Sequence, residues 1–223
     1  MNLAGKLVTA AIYRILRIAC KVDASEFDKI PLKGSYIIAM NHTNFLEVPM
    51  IYTHLLPRKV IGIAKKENRN GGFMKWLVNT WQGISVDREG YSISTFRQSK
   101  KVLKKGCFLV IAPEGTRNRN GKLQKGKSGV VTIALHSKVP IIPVVHFGGE
   151  LIGKNLKSLR RTKFIFKVGK PFMLDPAGNV NHDKRKYFTD QLMYRLAELL
   201  PEKYRGIYHD LDNLKQDEIK YVF

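Results

Sequence analysis

The chain is poor in three things, and each shortage excludes something. It holds two cysteines, Cys20 and Cys107, in 223 residues, and they form neither a CxxC pair nor a metal-ligand cluster. A disulfide-stapled scaffold and a thiolate metal site are therefore excluded, and both cysteines read as small buried hydrophobes in a reducing compartment. No uncharged apolar run reaches eighteen residues, which argues against a conventional membrane-spanning helix. Acidic residues are scarce as well. Eighteen Asp and Glu face 39 Lys and Arg, leaving a net charge of +21. That excess predicts an anionic partner: phospholipid, nucleic acid or a phosphorylated small molecule.

What is present suits one ordinary domain. With 44% apolar residues and no internal repeat, low-complexity tract or Ser/Gly linker, the chain can bury roughly 70% of its extended surface. Disorder is excluded on the same ground. At the N-terminus, Lys6, Arg14, Arg17 and Lys21 fall within about 80° of one another on a helical wheel, with Val8, Ile12, Ile15 and Ala19 opposite. This predicts an amphipathic helix over residues 1–24 that lies on an anionic membrane surface, followed by a folded domain over 25–223. Docking of the same apolar face on the domain's own core is the competing reading. The basic residues also break up the apolar stretch that a secretory signal needs.

Short β-branched runs then alternate with helical periodicity. Strands are expected at Tyr36–Met40, Lys59–Ala64, Gly83–Val86, Cys107–Ala112, Pro140–His146 and Lys163–Val168. Helices are expected at Pro49–Leu56, Gly72–Trp81, Ser92–Lys105, Ser128–Ser137 and Lys184–Leu200. Alternation of this kind predicts a single α/β domain with a largely parallel central sheet flanked by helices. Asn41-His42, Lys65-Lys66, Asp87-Arg88 and Glu114-Gly115-Thr116-Arg117 each follow one of four successive strands. The carboxyl edge of an open α/β sheet is where ligands bind, so one base candidate and several cations should converge on one crevice.

His42 and Glu47 stand five residues apart, about 140° round a continuous helix, where they would not meet. Pro49 changes this, because proline is tolerated only in a first helical turn. The helix must start at about Phe45–Val48, leaving His42 in the preceding loop and free to fold back on Glu47. A carboxylate on one imidazole nitrogen fixes the tautomer and stabilises the imidazolium formed when the other nitrogen takes a proton. The alternative is that Asn44-Phe45-Leu46-Glu47 is simply a capping box.

Asn-His-x4-acid, Gly83-Ile84-Ser85-Val86-Asp87-Arg88, Pro113-Glu114-Gly115-Thr116-Arg117 and Val139-Pro140-Ile141-Ile142-Pro143-Val144 resemble, in order and spacing, the four motifs of the glycerolipid acyltransferases. The 1-acylglycerol-3-phosphate acyltransferase branch is the nearest likeness. The resemblance spans about residues 35–147 and implies acyl transfer from a thioester to the free hydroxyl of lysophosphatidic acid. It implies His42 as general base and Glu47 as its orienting carboxylate, with direct attack by the alcohol and no acyl-enzyme. Arg117, Lys65 and Arg88 would hold the acceptor phosphate, with Gly115, Thr116 and Glu114 completing that loop. No metal and no cofactor are expected, and acyl-CoA or acyl-carrier protein would be the co-substrate. Glycerol 3-phosphate or another lyso-lipid is the alternative acceptor. The implied location is the cytoplasmic face of a membrane, peripheral or monotopic. One departure stands out: the family usually has Asp where Glu47 stands, and Glu adds a methylene.

Two readings from other classes compete. Gly121-Lys122-Leu123-Gln124-Lys125-Gly126-Lys127-Ser128 satisfies the P-loop expression of nucleotide enzymes, although it does not follow a strand directly. The basic stretch Lys154–Lys170, with Phe164 and Phe166 interleaved, has the composition of a nucleic-acid surface. Its alternation also describes a strand with one buried face, and no nucleic-acid partner is expected.

Overall fold

A computed structural model describes residues 3–65, 72–86, 92–118 and 120–222. Helix α1 (Leu3–Ala19) leads into strand β1 (Cys20–Asp23). Five further strands follow: β2 (Tyr36–Met40), β3 (Val60–Lys65), β4 (Ile84–Val86), β5 (Phe108–Ile111) and β6 (Ile141–Phe147). They are linked by helices α2 (Glu47–His54), α3 (Gly72–Thr80), α4 (Ile93–Lys104) and α5 (Gly129–Ser137). Then come α6 (Ile152–Lys157), β7 (Thr162–Val168), β8 (Phe172–Leu174), α7 (His182–Leu199) and β9 (Ile219–Tyr221).

The sheet order is β1-β7-β6-β2-β5-β3-β4, with β8 and β9 appended to β6. From β6 through β2, β5 and β3 to β4 every pairing is parallel, and β7 is antiparallel to β6. All six expected strands are present to within a residue or two, and so are the five expected helices. The carboxyl ends of β2 through β6 share one edge, as the βαβ connections require.

Strand parity divides the core into two layers. Ile38, Met40, Ile142 and Val144 pack with residues of α1, α2 and α3, including Leu16, Met50, Ile51 and Leu77. Ile37, Ala39 and Ile141 pack with residues of α4, α5 and α7 on the other face. Because β2 is covered on both sides it reads as a continuous apolar run. Burying each large side chain of this kind contributes about 1.5–3 kcal/mol.

Helix ends follow local chemistry. The Ser92 side chain accepts the Thr95 amide at 3.3 Å to cap α4, and Gly106 (φ +73°) ends it in the left-handed region that glycine tolerates. Helix α7 starts at His182, two residues before the expected Lys184, because Asn181 accepts the Lys184 amide at 2.8 Å. Trp81 is buried and stacks on Tyr52 at 4.4 Å, whereas Trp76 lies largely at the surface. The side chains of Phe73 and Met74 lie outside the described residues.

The N-terminal segment differs from its expectation in two ways. The helix stops at Ala19, and Cys20–Asp23 joins the sheet beside β7, so the boundary at residue 24 falls past a strand of the domain. Ile12, Leu16 and Ala19 pack into the core, and the Trp81 indole donates to the buried Thr9 hydroxyl at 3.1 Å. Docking therefore claims most of the predicted apolar face. Ile15 escapes it and is exposed together with Leu7 and Ile18. Among the described residues no helix is long and apolar enough to cross a membrane.

Candidate active site

Helix α2 begins at Glu47, which leaves Pro49 in the first turn and His42 in the loop before it, as proline sterics demand. The loop folds back, and the His42 Nδ1–H donates to Glu47 Oε1. Two acceptor oxygens on the acid assign the proton to Nδ1, so the ring's basic lone pair is on Nε2. The His42 side chain is 26% exposed and that of Glu47 is 0%. A buried acid thus holds a base that reaches the surface.

The second oxygen of Glu47 is also occupied. Oε2 accepts the Thr43 amide at 3.1 Å, the Thr43 hydroxyl at 3.3 Å and the Asn44 amide at 3.1 Å. The Asn44 amide bond is half of a capping box, and the Asn44 side chain accepts the Leu46 amide at 2.8 Å. Capping and the His42 pairing therefore coexist, one on each oxygen.

The loop after β5 meets His42 from the other side. Glu114 Oε1 accepts the His42 amide at 3.0 Å, and the Asn118 amide donates to the His42 carbonyl at 2.8 Å. Glu114 Oε2 accepts the Gln124 amide at 3.0 Å. Burial pushes the Glu114 carboxyl up to about 7, while the two amides pull it down. Glu114 is thus a brace for the main chain of the base. The Asn-His and Glu-Gly-Thr-Arg motifs are joined by these two bonds.

Gly115 turns this loop at φ +69°, and a Cβ there would meet the Lys127 side chain, whose Nζ lies over the turn. Thr116 and Arg117 are exposed beside it. Lys65 ends β3 at the same edge, but its side chain lies outside the described residues, and so does the whole of Arg88.

His146 and Asn41 were not among the expected site residues. The Asn41 side chain donates to the His146 carbonyl and accepts its amide, both at 2.9 Å. His146 Nε2 lies 2.6 Å from Glu47 Oε2. A signal existed in the sequence, since Asn41 precedes the base directly and His146 ends an apolar strand. Joining them required the strand order.

Parts of the two rival motifs are taken up by the fold itself. In Gly121–Ser128 the amides that would cradle a phosphate are bonded within the protein. Leu123 N binds the Tyr204 carbonyl, Gln124 N binds Glu114, Gly126 N binds the Tyr208 hydroxyl and Lys127 N binds the Pro113 carbonyl. Tyr204 and Tyr208, near the C-terminal end, thus buttress this loop. Phe164 and Phe166 are fully buried in β7, so neither can stack on a base.

The chain is similar to several known proteins. Over 211 residues the chain is 28% identical to a 1-acyl-sn-glycerol-3-phosphate acyltransferase of Cocos nucifera, an alignment covering 92% of this chain and 66% of that protein. A protein of the same name from Bacillus subtilis is 28% identical over 195 residues, 87% of this chain and 96% of its own. The crystal structure of the 1-acyl-sn-glycerophosphate acyltransferase PlsC from Thermotoga maritima superposes with a TM-score of 0.60 at 23% identity, covering 85% of this chain and 78% of that one. It shares the fold. A family model described as Acyltransferase matches residues 21–146, from the first strand to His146 and so through the base motif and the Glu-Gly-Thr-Arg loop. By that match, which takes in more than half of its length, the chain belongs to the Acyltransferase family.

Proposed function

We propose that the chain transfers a fatty acyl group from a thioester to the free hydroxyl of lysophosphatidic acid, giving phosphatidic acid. One observation carries this reading: an imidazole held through Nδ1 by a buried carboxylate, its main chain braced by the Glu-Gly-Thr-Arg loop at the ligand-binding edge of the sheet. The names of the coconut and Bacillus relatives support the acceptor. His42 Nε2 takes the hydroxyl proton as the oxygen attacks the thioester carbonyl. The C–S bond then breaks, and the departing thiolate takes that proton from the imidazolium. Glu47 steadies the imidazolium between the two events.

Arg117, at the exposed end of the loop that braces His42, is the guanidinium for the acceptor phosphate, with Lys65 at the end of β3 and Arg88, which follows β4 in the sequence. Arg117→Ala should raise the acceptor KM with little change in kcat, because phosphate binding is felt equally in the ground and transition states. Unchanged kinetics would remove Arg117 from the clamp. The reaction itself is tested by offering acyl-CoA and acyl-carrier protein separately with lysophosphatidic acid, glycerol 3-phosphate and a neutral lyso-lipid. Phosphatidic acid from lysophosphatidic acid is expected with at least one donor. Preference for either other acceptor would overturn the assignment.

Helix α1 supports a location at the membrane surface. Leu7, Ile15 and Ile18 form an exposed aliphatic stripe about 80° wide, beside the exposed Lys6, Arg14 and Arg17. This supports peripheral attachment to an anionic leaflet, on the cytoplasmic side where such lipids are enriched. Because α1 is part of the core, the test leaves its buried face intact. The triple substitution Leu7→Ser, Ile15→Ser and Ile18→Ser should lower co-sedimentation with phosphatidylglycerol vesicles while the protein stays folded. Equal partitioning would contradict the attachment.

A further inference from the structure

We infer that His146 is a positioning residue of the acyl-transfer centre: its Nε2, bonded to the Asn41 carbonyl and 2.6 Å from the second oxygen of Glu47, steadies that oxygen so that the first is aimed at His42. The inference rests on the function proposed above and adds a third member to the His42–Glu47 pair.

Strand register explains how a residue about a hundred positions away arrives there. Ala39 pairs with Pro143 and Met40 with Val144, so the end of β6 lies beside the loop that leaves β2. Residue 146 has the parity of Ile142 and Val144, whose side chains face the layer containing α2. Glu47 opens α2 on that face. The imidazole is fully buried, with the Phe166 ring 5.7 Å and the Phe164 ring 6.3 Å from its own.

The tautomer follows from the neighbours. Nε2 is 2.6 Å from Glu47 Oε2 and 3.2 Å from the Asn41 carbonyl. Both are acceptors, so Nε2 carries the proton. Nδ1 is buried without a hydrogen-bond partner, which suits a bare lone pair and not an N–H. The ring is therefore neutral, and burial agrees by pushing its pKa down to about 4. A neutral donor orients Glu47 without placing a positive charge next to His42.

The anchoring also has a purpose on this reading. Asn41 grips the main chain of His146 through both its amide and its carbonyl. Asn41 precedes His42, so base, acid and second imidazole are tied across two adjacent strands. Glu47, one methylene longer than the usual Asp of the family, bridges both rings. The loop amides of Thr43 and Asn44 alone would leave the carboxylate able to rotate within its own turn; a donor from a different strand fixes it.

The test compares His146→Met, which keeps bulk but removes the donor, with His146→Gln, whose amide nitrogen reaches the Nε2 position. His146→Met should lower kcat by about 10–100-fold with both KM values little changed, the cost of a misdirected base. His146→Gln should recover most of that loss. If the Met variant does not fold, His146→Asn, whose amide stops short of Glu47, carries the same prediction. The low-field proton resonance of the His42 Nδ1–H should be present in the wild type and in His146→Gln, and be lost in His146→Met. That signal reads positioning independently of turnover. Wild-type protein that makes no phosphatidic acid would defeat the proposed function while the resonance still decides the role of His146. A resonance missing from the wild type or unchanged in His146→Met, full activity of that variant, or a loss confined to KM would overturn the inference.

Discussion

Replacing His42 with alanine should lower acyl transfer by about 10²–10⁴-fold, the range in which a positioned general base contributes. The fold should survive, because the bonds that fix this loop use the main chain. The His42 amide and carbonyl, held by Glu114 and Asn118, are unchanged by truncation of the ring. Binding of the acceptor should survive for the same reason, since the phosphate is assigned to Arg117 and its neighbours. Loss of kcat with KM little altered is the expected signature in steady-state kinetics. Retention of activity would show that another group takes the proton.

Glu47→Gln should be more damaging than its size suggests, on the order of 10⁴-fold in kcat, by enforcing the wrong tautomer. The Thr43 amide, the Asn44 amide and the His146 imidazole all approach Oε2 as donors, so the amide oxygen of Gln should take that side. Its NH2 then faces His42 and donates to Nδ1. The ring must carry its proton on Nε2 instead, where the substrate hydroxyl needs a lone pair. A helix-capping role alone predicts the opposite, because Gln serves a capping box as well as Glu does. Comparing kcat of the two proteins after matching their unfolding midpoints separates the outcomes.

Most of the scaffold was legible from period and punctuation. Apolar runs bounded by Gly, Pro and Asn located the six strands, and Ser92 and Gly106 marked the ends of α4. The His42–Glu47 pair followed from one steric fact, that Pro49 needs a first turn. What escaped was information carried by strand order. His146 reaches Glu47 only because β6 lies beside β2, which no local pattern records. Cys20–Asp23 and Ile219–Tyr221 are edge strands too short for an alternation signal, and both exist through their partners β7 and β8. The wheel found α1 to be amphipathic but placed its apolar face about 40° from the one that docks, because an aliphatic stripe and a core-facing stripe lie side by side on that helix. The P-loop match failed for a tertiary reason, since Tyr204 and Tyr208 from the far end of the chain, with Glu114 and Pro113, occupy its amides.

Acyl transfer on this mechanism is a single displacement in which His42 passes a proton from alcohol to thiolate with no covalent enzyme intermediate. Stopped-flow thiol release from acyl-CoA or acyl-carrier protein, with and without lysophosphatidic acid, tests this directly. The prediction is no release and no acylated protein until acceptor is added, then one thiol per phosphatidic acid formed. A burst of thiol with an acylated chain in the absence of acceptor would contradict it, and so would release that ignores the acceptor altogether.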